Sequence, residues 1–192
     1  MNATSDYDAA RAALGRTLPP YVSYQVTSHA TGMGFAKDDT TTIVVRTRDG
    51  KIVKGTPPTV KIGAGTSYSG DVVSQPPFDV ACYRATATRR DKYDGRPAEA
   101  LSLNATGTCE HDRHGDFDTL YLDPTTHAPL AAVGNQHDDP VAVHLEQRYV
   151  RTGGFILPSA FDVAVKGSSF MFWLNVAAHQ SYTHYAFSNS PP

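Results

Sequence analysis

The sequence predicts a mainly β (α+β) protein, an antiparallel sheet built from hairpins with one N-terminal helix and a covering loop. Three observations carry this prediction. Apolar and polar residues alternate along several runs, the pattern of a strand with one greasy and one wet face. Turn-forming pairs separate the runs: Asp49-Gly50, Asp94-Gly95 and Gly153-Gly154. Threonine, valine and tyrosine are plentiful while long helical patterns are scarce.

The chain of 192 residues with a net charge of −2 fits a single domain over 1–192. It is long enough to bury roughly 70% of its unfolded surface. Nothing in the charge balance points to nucleic acid or to an anionic membrane surface. Arg89-Arg90-Asp91-Lys92 is a short basic run, expected to cap a hairpin as a solvated turn. No apolar stretch reaches about 18 residues, so no membrane span is expected. The N-terminal sequence is polar and shows no signal peptide, and a mature chain with an added initiator methionine would look the same.

In order, Thr4-Ser5-Asp6 offers N-cap residues and Gly15 a stop, predicting a helix over 7–14 with Tyr7, Ala10, Ala13 and Leu14 on its packed face. Residues 21–29 alternate as a strand, 30–39 read as a loop, and 40–48 form a second strand that turns at Asp49-Gly50 into 51–54. The pattern dissolves over 55–78, which holds four prolines and four glycines and room for one short strand at 59–62. A stretch this long without structure is a covering flap or a surface loop. Val72-Val73 is its anchor.

Residues 78–89 and 97–109 flank Asp94-Gly95 as a hairpin. Facing Tyr83, Ala85 and Ala87 against Leu101 and Leu103 needs an even pairing sum, whereas opposing Cys82 and Cys109 needs an odd one. A β-bulge reconciles the two. Cys82 and Cys109 are therefore disulfide candidates, with two buried free thiols as the alternative. A bridge would contribute roughly 3–4 kcal/mol and imply an oxidising compartment.

Further strands are expected over 141–150, where Val141, Val143, Leu145 and Tyr149 alternate with His144, Glu146 and Arg148. They continue over 155–166, where Pro158 demands an edge, a bulge or a break. The stretch 170–177 is apolar on both faces and is expected to be the most covered strand, followed by a separate one over 179–187.

Catalytic motifs are not matched. The cluster over 110–118, with His111, His114, Asp112, Asp116 and Asp118, has metal-ligating residue types but no recognised metal spacing. It is expected to be a solvated turn, as is the stretch from His137 to Pro140. His144, His179 and His184 lie in strands and are expected at the surface or as satisfied donors. There is no G-x-S-x-G elbow and no phosphate-binding glycine loop. No cofactor and no metal are expected, and the chain is expected not to be an enzyme. What remains is a sheet with many large apolar residues. It either curls around a greasy cavity or stacks against a second layer as a filled core.

Element order adds a resemblance. Leu120-Tyr-Leu-Asp-Pro-Thr-Thr-His-Ala-Pro-Leu130, Gly154-Phe-Ile-Leu-Pro158 and Ser181-Tyr-Thr-His-Tyr-Ala-Phe187 resemble the D-x-x-T-x-x-P-L hairpin, the G-x-x-L-P strand start and the Y-x-x-[Y/F]-x-F closing strand of the LolA/LolB-like outer-membrane lipoprotein-sorting group. The resemblance implies an unclosed half-barrel whose hydrophobic concave face holds lipid acyl chains, in a periplasmic or otherwise exported chain whose signal peptide has been removed. Carried onto this chain, the apolar face comprises Tyr24, Val45, Leu101, Leu103, Val143, Leu145, Tyr149, Phe161, Val163, Phe172 and Tyr185. Arg46 would contact a lid. Two features differ from the carriers: 55–78 is short and proline-rich where they have covering helices, and Arg46 and Arg48 run into Asp49-Gly50. The expected function is non-enzymatic binding of a lipid, a lipoprotein acyl chain or another apolar ligand. The alternatives are a structural or sensory module that binds an envelope protein partner, and a hydrolase or metalloenzyme built on 110–118.

Overall fold

The computed structural model describes residues 2–32, 35–62, 66–107, 109, 116–138, 140–169 and 172–192; at 35, 36, 60–62, 66–68, 138, 168, 169 and 172–174 it describes backbone only.

Helix α1 (Ala3–Leu14) begins one turn earlier than the sequence suggests, because Asn2 is the cap and its side chain accepts from the Thr4 amide at 3.1 Å. It ends at Gly15, whose amide reaches Arg11 O at 2.8 Å. Tyr7 and Ala10 are buried as expected, joined by Asp6; Ala13 and Leu14 are half-buried.

The chain then builds a ten-stranded antiparallel sheet. Its strands are β1 (Tyr21–Gly32), β2 (Phe35–Arg46), β3 (Lys51–Lys54), β6 (Tyr83–Tyr93), β7 (Arg96–Ala105), β8 (Thr119–Leu122), β9 (Pro129–Asp138), β10 (Val141–Thr152), β11 (Phe155–Ser169) and β12 (Phe172–Ser188). A separate hairpin pairs β4 (Thr59–Ile62) with β5 (Thr66–Ser69). The spatial order is β3-β2-β1-β12-β11-β10-β9-β8-β7-β6. The chain reaches one edge at β3, crosses to the other edge at β6, and walks back hairpin by hairpin until β12 pairs with β1. The two edges do not pair with each other, so the sheet is an unclosed half-barrel.

Turn chemistry places most hairpins. Gly153 (φ 55°) and Gly154 (φ 83°) connect Thr152 to its partner Phe155, and Asp94 (φ 50°) and Gly95 (φ 75°) connect Tyr93 to Arg96. Positive φ at both central residues is the two-residue turn that matches strand twist. Between β6 and β7 the register moves from Ala85↔Leu103 to Ala87↔Ser102, leaving Thr86 unpaired. That bulge does not serve the cysteines: the ladder beside them keeps the even register of Tyr83↔Ala105, and both lie beyond its end, Cys82 in the short turn before β6 and Cys109 past the end of β7. Cys82 and Cys109 form a disulfide with a Cα–Cα distance of 5.6 Å. Pro158 sits beside a second bulge, where Arg148↔Ala160 gives way to Tyr149↔Pro158.

Several boundaries differ from expectation. Residues 35–39 are strand rather than loop, because the β1–β2 ladder runs unbroken out to Gly32↔Phe35. The expected strands 170–177 and 179–187 are one strand, β12, and its N-terminal end is not the most covered: Asn175 and Ala177 are exposed. The bulge in β12 opposite Ser23/Gln25, near His184 (φ 55°), lies inside the strand and does not divide it. Residues 66–69 add a strand the sequence reading missed. Arg89 and Asp91 pair at 3.2 Å within β6 rather than beyond its end. The charges along β6 discourage strand addition at this exposed edge.

Candidate functional site

The concave face is lined from strand after strand by Val22, Tyr24 and Val26 of β1, Ile43 and Val45 of β2, Leu101 and Leu103 of β7, Leu120 of β8, Leu145 of β10, Phe161 and Val163 of β11, and Tyr182 of β12. All are buried. What buries them is α1 together with the crossing segment from β3 to β6. Tyr7 and Ala10 of the helix, and Val72, Phe78 and Cys82 of the segment, belong to the same apolar cluster. Phe78 stacks on Tyr83 at 5.1 Å and meets Phe117 edge-on at 5.3 Å.

Three inward polar side chains hold the segment in place. Tyr24 Oη, from β1, donates toward Gly70 O at 3.2 Å and Asp71 Oδ1 at 3.3 Å. Gln147 Oε1, from β10, accepts from the Phe78 amide at 3.0 Å. Gln180 Nε2, from β12, donates to Pro58 O at 3.4 Å, while its Oε1 accepts from Tyr182 Oη at 2.7 Å. Asp71 is itself buried and gathers the Ser74 amide at 3.2 Å and the Ser74 hydroxyl. The segment is thus a cover fixed by hydrogen bonds at three places along its backbone.

The phenols involved are held protonated. Burial, then the nearby Asp71 charge, pushes Tyr24 far above its ordinary value. Burial does the same for Tyr182 and Tyr185, and the Tyr185 hydroxyl donates to Pro158 O at 2.7 Å. Tyr149 is pushed up by burial as well; its hydroxyl has no hydrogen-bond partner.

The cover leaves a cleft of about 590 Å³ between the end of α1, the tip of β2 and the covering segment. Leu14, Leu18, Pro20, Val45 and Val73 form its floor and walls, with Arg16 and Arg48 among the lining residues. Val45 is continuous with the buried face. The volume falls within the range usual for small-ligand pockets. A second cleft of about 560 Å³ lies beside Tyr93, Asp94, Arg96, Glu146 and Arg148. Within it Arg148 bridges Glu146 at 3.1 Å and reaches Asp162 at 2.9 Å, and Tyr93 donates to Glu146.

The eleven residues assigned to the apolar face separate into three groups. Tyr24, Val45, Leu101, Leu103, Leu145, Phe161 and Val163 are fully buried in one cluster. Val143, Tyr149 and Tyr185 are partly buried and packed against it. The Phe172 side chain lies outside the described residues. The structure therefore places the described members on one face but roofs them with the chain's own side chains, and of these residues Val45 lines the open cleft. Among the described residues, the ion-pair partner of Arg46 lies in its own turn. Its guanidinium takes both oxygens of Asp49, at 2.7 and 3.0 Å, because the Asp49 turn places the carboxylate beside it.

His111, Asp112 and His114 lie outside the described residues. Asp116 accepts from Gln136 at 2.7 Å, and Asp118 from Thr119 at 2.6 Å and the Asn135 amide at 2.8 Å; both tie the loop to β9 and its neighbour. Asp79 approaches Cys82 and Cys109, but both sulfurs are committed to the disulfide. His144 meets Asn135 and His179 meets Asp162 on the outer surface. The residues that sequence reasoning missed are Gln147 and Gln180. Their signal was present: each is a polar residue at a position that the alternation assigns to the apolar face.

No family model and no curated protein matches this chain. Among solved structures, a DUF1329 family protein from Desulfovibrio piger superposes with a TM-score of 0.60 at 10% identity, covering 100% of this chain and 96% of that one. A domain assigned to the outer membrane lipoprotein-sorting proteins from Vibrio parahaemolyticus gives 0.55 at 10% identity, covering 100% and 95%. A LolA superfamily protein from Nitrosomonas europaea gives 0.49 at 12% identity, covering 100% and 96%. Among the described residues, one helix lies on an unclosed ten-stranded antiparallel sheet with an apolar face beneath a crossing cover, and this is the fold shared with the DUF1329 and lipoprotein-sorting domain structures.

Proposed function

We propose that the chain is a single-domain, non-enzymatic protein of the cell envelope that binds an apolar ligand, an acyl chain of a lipid or lipoprotein. The ligand enters at the cleft of Leu14, Leu18, Val45 and Val73. The observation that carries this reading is that Val45, a member of the buried apolar cluster, also lines that cleft. Arg16 and Arg48 among its lining residues suit an anionic head group, with the apolar tail inside. Two things support the reading further: the fold likeness to a lipoprotein-sorting domain and the Cys82–Cys109 disulfide, which belongs to an oxidising compartment. Apolar burial contributes roughly 25 cal/mol per Å² before association costs.

The test is saturable uptake of a fluorescent fatty acid by delipidated protein, with native mass spectrometry of gently purified material. Leu18→Glu and Val73→Glu place a charge in the cleft and are expected to abolish uptake while leaving far-UV circular dichroism unchanged. Uptake that survives both variants, or no saturable uptake by the wild-type protein, sinks the reading.

A second reading is favoured by one observation: seven of the described apolar-face residues are buried by the chain's own side chains. In that reading the core is simply filled, and the protein is an envelope interaction module. A stoichiometric protein partner, with an empty lipid extract, would select it.

A further inference from the structure

A row of ionisable side chains crosses the outer face of the sheet in register. Asp38 of β2 lies opposite His29 of β1, His29 opposite His179 of β12, and His179 opposite Asp162 of β11. The order across four neighbouring strands is therefore carboxylate, imidazole, imidazole, carboxylate. Each imidazole is bonded to the carboxylate on its far side: His29 Nδ1 to Asp38 Oδ1, and His179 Nδ1 to Asp162 Oδ1 at 2.6 Å. A carboxylate only accepts, so both Nδ1 atoms carry a proton. The neutral ring in that tautomer keeps its lone pair on Nε2. Nδ1 and Nε2 lie on opposite edges of an imidazole. With the Nδ1 atoms drawn apart toward β2 and β11, the Nε2 edges turn toward each other over the seam between β1 and β12.

We propose that His29 and His179 bind one divalent transition-metal ion through their Nε2 atoms, with Asp38 and Asp162 holding the two rings. The protein supplies two ligands, and the carboxylates stand behind them rather than on the ion. Imidazole suits copper, nickel and zinc, and the affinity order favours Cu²⁺. A metal-binding histidine commonly donates its other ring N–H to a carboxylate, which fixes the tautomer and raises the basicity of the ligand nitrogen. Both rings are held in that way here. Directly opposed side chains on antiparallel strands have Cβ atoms about 4.5–5.5 Å apart. Two nitrogens on one ion, at bond lengths of about 2.0–2.1 Å, stand about 3–3.4 Å apart, a separation that a tilt of the rings supplies. The two side chains are 51% and 44% exposed, so water completes the coordination. The neighbouring pairs on the same face, Thr27↔Ser181 and Thr31↔Ala177, are small and leave room for it. Asp162 is further fixed by Arg148 Nη2 at 2.9 Å. β1 and β12 are the first and last strands of the chain, so the ion would clasp the ladder that joins them.

The test is a titration of metal-free full-length protein with Cu²⁺, followed by calorimetry and by electron paramagnetic resonance. One saturable ion per chain with two nitrogen ligands is expected. His29→Ala and His179→Ala each leave a single imidazole and should weaken binding by about a hundredfold or more, and Asp38→Asn by about tenfold. Asp38→Glu should restore it, and His144→Ala should leave it unchanged. Paramagnetic broadening by Cu²⁺ in the wild-type protein locates the ion without any substitution and should centre on residues 29 and 179. No saturable binding overturns the proposal. So does broadening centred on the N-terminus or on another histidine, or binding that His29→Ala leaves intact. None of these outcomes touches the cleft or acyl-chain uptake.

Discussion

Tyr24→Phe separates the cover from the core beneath it. The substitution keeps the ring, and with it the stack on Tyr185 at 5.3 Å and the edge contact with Tyr182 at 6.4 Å. It removes one hydroxyl, whose proton is shared between Gly70 O and Asp71 Oδ1 at 3.2 and 3.3 Å. Asp71 is 3% exposed and retains two donors from Ser74; Gly70 O loses its side-chain donor. Leaving a buried acceptor short costs about 1–3 kcal/mol. Both contacts are long and shared, so the lower part of that range applies, about 1–2 kcal/mol. The loss should be local. Hydrogen exchange at the Ser74 and Gln75 amides, which bond to Asp71 Oδ1 and Asp71 O, should accelerate about tenfold for each 1.4 kcal/mol. The Leu103 amide, bonded to Asp118 O at 2.8 Å, should keep its rate. A uniform acceleration would mean that the cover and sheet open as one unit, and unchanged rates at Ser74 and Gln75 would mean that Tyr24 is not a latch. Either result refutes the reasoning.

Replacing Cys82 and Cys109 by serine releases a link across 27 residues, a loss of about 3.5 kcal/mol on the chain-entropy model; denaturant unfolding that changes by less than about 1 kcal/mol would contradict it. Gly134→Ala puts a methyl group 1.8 Å from the Asp116 carbonyl oxygen, a clash with backbone that cannot swing aside. A loss of about 3 kcal/mol or more is expected, and an unchanged melting temperature would show that the loop does not pass there. Asp123 is held below its ordinary value of 3.8 by the Thr126 amide and hydroxyl and the Thr125 amide. Its stabilisation of the turn is therefore present above the unfolded carboxylate pKa and lost as pH falls through the lower folded one. An NMR titration of the Thr126 amide should show its midpoint below 3.8, and a midpoint at or above that value would count against the turn geometry. Gln147→Leu removes an orphaned amide nitrogen but also strands the Phe78 amide. The two terms oppose, so global stability should move by no more than about 1 kcal/mol while exchange at Phe78 rises; a loss above about 3 kcal/mol would show that the Gln147 amide nitrogen has a partner in solution.

Local signals in the sequence gave reliable structure where a single residue type has one conformational use. Gly153-Gly154 and Asp94-Gly95 marked two-residue turns, because both central positions need positive φ. Alternation marked the inner face of β1 and β10. The sequence was misleading where tertiary pairing overrides composition. Residues 35–39 carry charge and look like a loop, but the ladder with β1 continues through them because neighbouring strands already fix the register. The break expected near residue 178 dissolved for the same reason, since β11 and β1 pair along both sides of β12. The bulge expected from the cysteine parity argument exists at Thr86 but does not answer it, because Cys82 and Cys109 meet outside the ladder, where strand register does not apply. The apolar face was legible residue by residue, but its roof was not. Nothing in a proline-rich stretch announces that it will be caught by side chains 46 to 122 positions away.

Those side chains explain how an unclosed sheet can carry a cover at all. A purely apolar roof would slide, because burial is non-directional and many placements bury similar area. Tyr24, Gln147 and Gln180 come from three different strands and each engages one point of the segment's backbone, at Gly70, Phe78 and Pro58. Directional bonds of this kind fix register where hydrophobic contact cannot. They also contribute only about 1 kcal/mol each in net stability, far less than the sheet beneath. The cover is accordingly held down by the burial of Val72 and Phe78 in the apolar cluster and held in register by these three bonds. It also borders the cleft, through Val73 and Ser74. The bonds at Gly70 and Phe78 are thus the points at which the register of the cover beside that cleft is set.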